Sequence, residues 1–219
     1  WPLRTYVRYN EEMRVEVTSD SLLRMSHVAP PTFPVVQPLQ SLFPEEALVR
    51  GRTVLCSGDA AVSLALRVVA AATQAGSWLG VVGVAHFGLM SACEQGVALQ
   101  RMVLVTPTAN KREWASTVAA VADGFELIML QVPHGVGVAD AQRVQARIQS
   151  RRNVLVLVDT ARKSAPQSVF QPDVVLHTNT TKWHGIEQGA GYVQSREISV
   201  AVSGRRVPRA VQRTVHHVG

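Results

Sequence analysis

Three stretches of the 219-residue chain carry residue types at spacings that belong to phosphate chemistry. The first is Arg52-Thr-Val-Leu-Cys-Ser-Gly58-Asp-Ala-Ala-Val-Ser63-Leu64-Ala65-Leu66. It reads as a buried strand, a glycine turn and an apolar helix, the layout of a P-loop, G-x-x-x-x-G-K-[ST]. A working loop wraps backbone N–H groups around phosphates, sets a lysine on the β and γ phosphates and puts a hydroxyl on magnesium. Aligned on Gly58, the second glycine is Ser63, the lysine is Leu64 and the hydroxyl residue is Ala65. Leu64 brings no charge and Ala65 no metal ligand, so no cofactor is expected at these positions. Asp59 would set a carboxylate at the mouth of the loop. It is expected instead to cap the following helix.

The second stretch is Glu126-Leu-Ile-Met-Leu-Gln131. An apolar strand ending in an acid would be a Walker B strand, the acid organising magnesium. Here Gln131 fills the position, and a neutral amide is a poor magnesium ligand. The third is Asp159, at the end of Val154-Leu-Val-Leu-Val158. It stands at a strand's C-terminal edge, where open α/β sheets bind ligands, but without a lysine or second acid beside it.

A different chemistry is suggested by Thr178-Asn-Thr-Thr-Lys-Trp-His-Gly-Ile-Glu-Gln-Gly-Ala-Gly191. Glycines, Lys182 and Trp183 between two strands could hold a nucleic-acid strand or a protein partner. Equally, Trp183 could simply cover the sheet end. Arg205, Arg206 and Arg209 in the basic tail are further candidates for DNA or partner contact. The histidines His86, His134 and His177 follow apolar stretches, and His184, His216 and His217 fall in loops or the tail. None pairs with an acid or cysteine at metal-ligand spacing. Cys56 lies inside a strand and reads as core rather than nucleophile. No catalytic constellation emerges.

These residues need elements to position them. From residue 53 onward, apolar runs alternate with helical patterns. Strands are expected over 53–57, 78–84, 101–105, 126–132 and 153–159. Helices are expected over 60–75, 88–95, 113–123 and 139–151, with Trp114, Val118 and Val121 marking one face of the third. Continuous apolar strands alternating with helices predict a mainly parallel sheet covered on both faces. After Thr160 the rhythm changes. A polar loop over 161–172, a strand over 173–177, a loop over 178–188 and alternation over 190–203 suggest an antiparallel extension. Residues 1–44 read as an N-terminal arm. Within it, 11–25 suits one helix or a short strand and helix, Asp20 or Ser21 capping 22–25, and a proline-rich extended segment follows. The core is expected over 45–204 and a weakly patterned basic tail over 205–219.

Bulk properties are compatible with this reading. The chain is 47% hydrophobic and 17% charged, values that suit a soluble globular protein. No apolar run approaches the roughly 18–20 residues of a membrane span. Residues 1–4 do not begin a signal peptide, since no apolar h-region follows. Two cysteines without a short spacing give neither a zinc motif nor a disulfide framework. A cytoplasmic location follows by default. The net charge of +6 is carried almost wholly by arginine, which permits phosphate or acidic-protein contacts.

Taken together, these features resemble RecA. Leu48-Val-Arg-Gly-Arg-Thr-Val-Leu-Cys-Ser-Gly58 is similar to the RecA lead-in to its P-loop. Gly76-Ser-Trp-Leu-Gly-Val-Val-Gly83 and Ala92-Cys-Glu-Gln-Gly-Val-Ala-Leu-Gln-Arg-Met-Val-Leu-Val105 resemble its second strand, next helix and third strand. The resemblance places the catalytic glutamate of RecA at about Val84, and the Walker B acid at Gln131. It implies a RecA-like α/β fold with a degenerate P-loop, a pseudo-ATPase rather than an enzyme. Within the superfamily the closer likeness is to the ImuA-prime family of actinobacterial mutasome proteins. Ala75-Gly-Ser-Trp78, Glu94-Gln-Gly-Val-Ala-Leu99, Ala146-Arg-Ile-Gln-Ser-Arg-Arg152 and Trp183-His-Gly-Ile-Glu-Gln-Gly-Ala-Gly-Tyr192 carry it. That likeness implies an adaptor in DNA-damage-induced translesion synthesis. Its partners would be an inactive, ImuB-like Y-family polymerase homologue and an error-prone polymerase III alpha-type subunit, with single-stranded DNA and self-association as further candidates. A single-stranded DNA-binding protein and a SulA-like cell-division inhibitor are the alternatives.

Overall fold

The computed structural model describes residues 5–9, 13–17, 31–106, 111–160, 169–187 and 190–218. It forms two compact units, Trp1–Pro31 and Thr32–Gly219. In the first, β1 (Thr5–Tyr9) and β2 (Met13–Val17) pair as an antiparallel hairpin, with Val7 opposite Val15. The cap expected at Asp20 or Ser21 lies outside the described residues.

The second unit starts with β3 (Thr32–Phe33), α1 (Gln37–Gln40) and β4 (Leu48–Val49), β3 and β4 pairing antiparallel. The compact unit therefore takes in residues 32–44, which the sequence placed in the arm. The extended run stops at Val36, because Pro38, expected to prolong it, instead opens α1. Phe33, Val35, Leu39, Leu42 and Phe43 are all buried in the core.

Next come β5 (Thr53–Gly58), α2 (Ala61–Gln74), β6 (Leu79–Val82), α3 (Leu89–Glu94) and β7 (Met102–Val105). They are followed by α4 (Lys111–Gly124), β8 (Leu127–Gln131), α5 (Val138–Arg151) and β9 (Val154–Asp159). The chain closes with β10 (Val174–Glu187), β11 (Ala190–Ser203) and β12 (Val211–Val218). Among the described residues, the main sheet has eight strands in the order β12-β11-β10-β5-β9-β8-β6-β7. From β10 to β7 every pair is parallel, whereas β10–β11 and β11–β12 are antiparallel.

Burial explains the strand composition. All six residues of β5 are buried, because it lies mid-sheet with helices on both faces. On one face Leu64, Ala65, Val68 and Ala72 of α2 join Val54, Cys56, Val156 and Leu176. On the other, Trp114, Val118 and Val121 of α4 and Val144 and Ile148 of α5 join Leu55, Ile128 and Leu155. Helix α2 stops at Gly76, whose φ of +102° lets its N–H reach the Thr73 carbonyl while that of Ser77 reaches Ala72.

Two expectations are corrected at the C-terminal end. The loop expected over 178–188 is the outer half of β10, paired with β11 as far as Glu187 through two register shifts. The basic tail includes β12, eight residues paired with β11. Both were hidden for one reason. Past Thr180 the β10–β11 ribbon leaves the core, and Val211–Thr214 are exposed throughout, so no alternating burial is imposed on the sequence.

Candidate functional site

The site most marked by the sequence is the turn after β5, at the C-terminal edge of the parallel strands. Gly58 has φ +96°, and a Cβ there would stand 2.0 Å from the Thr178 carbonyl oxygen. Glycine is thus required by the close approach of β10. The Thr178 hydroxyl secures the same turn, donating to the Ser57 carbonyl (2.8 Å) and accepting from the Ala60 N–H (3.0 Å).

Asp59 does not cap α2. Ala60 holds the N-cap position and has no side-chain cap bond. The Asp59 carboxylate turns the other way and accepts the Thr180 N–H at 2.8 Å. It still lies near the positive end of α2, where a negative charge is favourable. Only Asp59 and Ala60 separate strand from helix, and the Leu64 N–H already donates to the Ala60 carbonyl. Of the positions that would wrap phosphates in a P-loop, 61–65 therefore lie inside the first turns of a helix. Leu64 is 5% exposed and Ala65 fully buried, both packed in the core. Ser63 is the outward residue of the set, and its Oγ accepts a hydrogen bond from Arg196 Nη2 at 3.1 Å.

Arg196 arrives from β11. Its guanidinium also stacks 5.3 Å from the ring centre of Trp183 on β10. Burial lowers its pKa, with the nearby Asp59 charge acting in the opposite direction. The ribbon thus clamps the turn at three points: Thr178 on the backbone, Thr180 on Asp59 and Arg196 on Ser63.

Gln131, at the end of β8, is separated from β5 by β9. Its Oε1 accepts the Ala85 N–H at 2.9 Å and so pins the segment after β6. Val84, in that segment, packs against the core. Asp159 is in register with Ser57, and Ser57 with His177. Acid, hydroxyl and imidazole therefore share one face of three adjacent strands, with Ser57 Oγ 3.0 Å from His177 Nδ1. The sequence did not suggest this row, because 120 residues separate its two bonded members. A polar residue closing an apolar strand was the available signal. The order is acid, hydroxyl, imidazole, so the acid does not orient the imidazole as a hydrolase triad requires.

The proposed contact residues do not converge. Lys182 and Trp183 are exposed on the outer ribbon, Trp183 to 50%. Arg205 donates to buried Asp173 at 2.8 Å, and Arg206 lies 3.9 Å from the same oxygen. Asp173 also accepts the Thr53 N–H, so these arginines brace the start of β5. Arg209 is exposed between β11 and β12. Arg196, opposite Trp183, lies seven positions along β11 from Ser203 beside this group. That is roughly 24 Å at ~3.4 Å per residue. Tyr192, 73% exposed on the ribbon, was not singled out by the sequence.

Elsewhere, a polar groove on α5 is lined by Gln142, Gln145, Gln149, Gln171 and Arg205. The Gln145 amide is held there by the backbone of Gln171, donating to its carbonyl at 2.8 Å and accepting from its N–H at 3.3 Å. Burial pushes the Cys56 thiol up to about 12, as fits a core residue, while Cys93 is exposed. Among the described residues, no group of three or more His, Cys, Asp or Glu side chains could hold a metal ion. Nor is any helix among them long and apolar enough to cross a membrane.

The structure is similar to the crystal structure of the RadB recombinase, with a TM-score of 0.59 and 13% identity, over 81% of this chain and 92% of that one. At this identity the likeness establishes the fold, which is RecA-like: a mainly parallel sheet, helices on both faces and an antiparallel C-terminal extension. No curated protein matches the sequence. The family described as the MT3502 N-terminal domain matches residues 41–163, from just after α1 to just past β9. Since that match spans more than half of the chain and contains the clamped turn, the protein belongs to the MT3502 N-terminal domain family.

Proposed function

We propose that the chain is a non-catalytic, RecA-like adaptor in DNA-damage-induced translesion synthesis and mutagenesis, acting in the cytoplasm. Its partner would be an ImuB-like, catalytically inactive Y-family polymerase homologue, with an error-prone polymerase III alpha-type subunit as a second candidate. The observation that carries this reading is the occupied turn after β5. Where a nucleotide would need a cation and a hydroxyl, Leu64 and Ala65 face the core, and Thr178, Thr180 and Arg196 hold the turn closed. Gln131 spends its side-chain oxygen on a backbone N–H. What such a scaffold retains is shape and surface, which suits docking better than turnover.

Two measurements test it. Isothermal titration with Mg-ATP is expected to give no heat of binding, and a tight magnesium-dependent isotherm would end the pseudo-ATPase reading. Affinity purification from cells after DNA damage is expected to bring down a polymerase-like protein. Its absence would end the adaptor reading.

A second reading, single-stranded DNA binding, is favoured by Trp183, half exposed with a guanidinium on one face. Aromatic stacking of this kind is worth about 1–3 kcal/mol per base. Fluorescence anisotropy with a labelled oligonucleotide should then show binding that weakens with salt and on Trp183→Ala. Flat anisotropy at low salt would remove it.

A further inference from the structure

The two edges of the main sheet are unlike each other. β12 forms one edge and β7 the other. β12 carries Gln212, Arg213, Thr214, His216 and His217 within eight residues, the polar composition that discourages edge-to-edge pairing. β7 reads Met-Val-Leu-Val, with no charge, proline or bulge. Of the eleven large apolar side chains exposed among the described residues, six lie between residues 78 and 104: Trp78, Leu89, Met90, Leu99, Val103 and Leu104. Their exposures of 37–73% amount to apolar surface on the order of 500 Å² around one strand. Leu104 pairs with Val81, and Val81 shares a core cluster with Ala92 of α3, so Leu104 and α3 lie on the same side of the sheet. Both faces of β7 are thus apolar, and among the described residues no strand of the sheet pairs with its outer edge.

We propose that β7 is the interface for a second copy of this chain, joined antiparallel across a two-fold axis at the centre of the strand. The register follows from symmetry. Val103 would stand opposite Leu104 of the partner subunit, and Met102 opposite Val105 of the partner subunit. The same rule sets Arg101 beside Thr106 of the partner subunit. The two copies of Arg101 are then five residues apart, roughly 17 Å. That exceeds the screening length of about 8 Å at physiological salt. Self-pairing therefore meets no like charge. The guanidinium of Arg101 is drawn inward over Trp78, 5.2 Å from its ring centre, which keeps it off the pairing edge. An isologous contact of this kind closes at two copies and leaves the ribbon and the clamped turn at the far side of the sheet from the joint.

Sedimentation equilibrium on the full chain tests this. Dimers are expected at micromolar concentration. Leu104→Lys should weaken dimerisation about 100-fold or more, because a charge would be buried at the centre of the joint. Arg213→Glu on β12 should leave it unchanged. Hydrogen exchange on the unmodified protein gives a second reading that does not depend on a variant folding. Protection of the amides of 102–105 should rise with protein concentration, and that of 211–218 should not. A chain that stays monomeric to about 100 µM, a dimer indifferent to Leu104→Lys, or concentration-dependent protection at β12 would each overturn the proposal. None of these outcomes depends on nucleotide or polymerase binding.

Discussion

At the level of single residues, the turn after β5 is held by contacts that substitutions can separate. Thr178→Val keeps the shape of the side chain but removes its bonds to Ser57 and Ala60. It should lower stability by about 1–3 kcal/mol, read as a shift in urea midpoint with unchanged slope. Gly58→Ala meets the Thr178 backbone rather than a movable side chain, at a φ that alanine resists. Its loss should exceed that of Thr178→Val, reaching roughly 3 kcal/mol or failure to fold. The thiols divide in the same way. Alkylation of the native protein at about pH 8 should modify Cys93 and spare Cys56, whose thiol burial holds far from ionisation. Mass spectrometry before and after denaturation would show one label and then two.

At the level of elements, α4 and α5 are tied at the surface by Asp123, which accepts from Arg147 at 2.6 and 2.8 Å and from Arg151 at 3.0 Å. The Arg147 hydrogen bond holds the Asp123 carboxyl below its ordinary value of 3.8. A folded-state value below the unfolded one means a contribution that is present above about pH 4 and lost as the pH falls through the folded value. The stability gap between the protein and Asp123→Asn should therefore be visible at neutral pH and close on acidification, measured by thermal melts across pH. The core elements of the sheet were legible in the sequence because burial on both faces forces unbroken apolar runs such as Val154–Val158. The Trp114, Val118, Val121 face was legible because one helix side must meet the sheet. Asp59 was misread because a capping residue and a residue reaching to a neighbouring strand look alike in one dimension. The Ser57–His177 bond and the Arg205–Asp173 pair were invisible for a related reason, since register between distant strands has no local signature.

For the whole molecule, the separation of the two basic regions makes a prediction that the sequence could not. If the chain binds single-stranded DNA, Trp183→Ala should weaken binding with little change in melting temperature. Arg205→Ala with Arg206→Ala should do the reverse, lowering stability by about 1 kcal/mol through the deserted Asp173 carboxylate while leaving DNA affinity in place. Equal loss of affinity in both variants would mean that the ribbon and the tail act as one surface.

The sheet order also has a consequence for synthesis. β5 leaves the ribosome before any other strand of the main sheet, yet its two neighbours, β9 and β10, come from residues 154–159 and 174–187. A nascent chain that has reached residue 150 can pair β6 with β7 and β8, but β5 has no strand on either side. Its six residues, all buried in the finished sheet, must wait, with the Gly58 turn unset, until Thr178 has been translated. Such non-local closure slows folding and lengthens the exposure of sticky segments. The clamp that shapes the finished turn is thus a late stitch of the core, and the newborn chain is the state in which a chaperone would have most to shield.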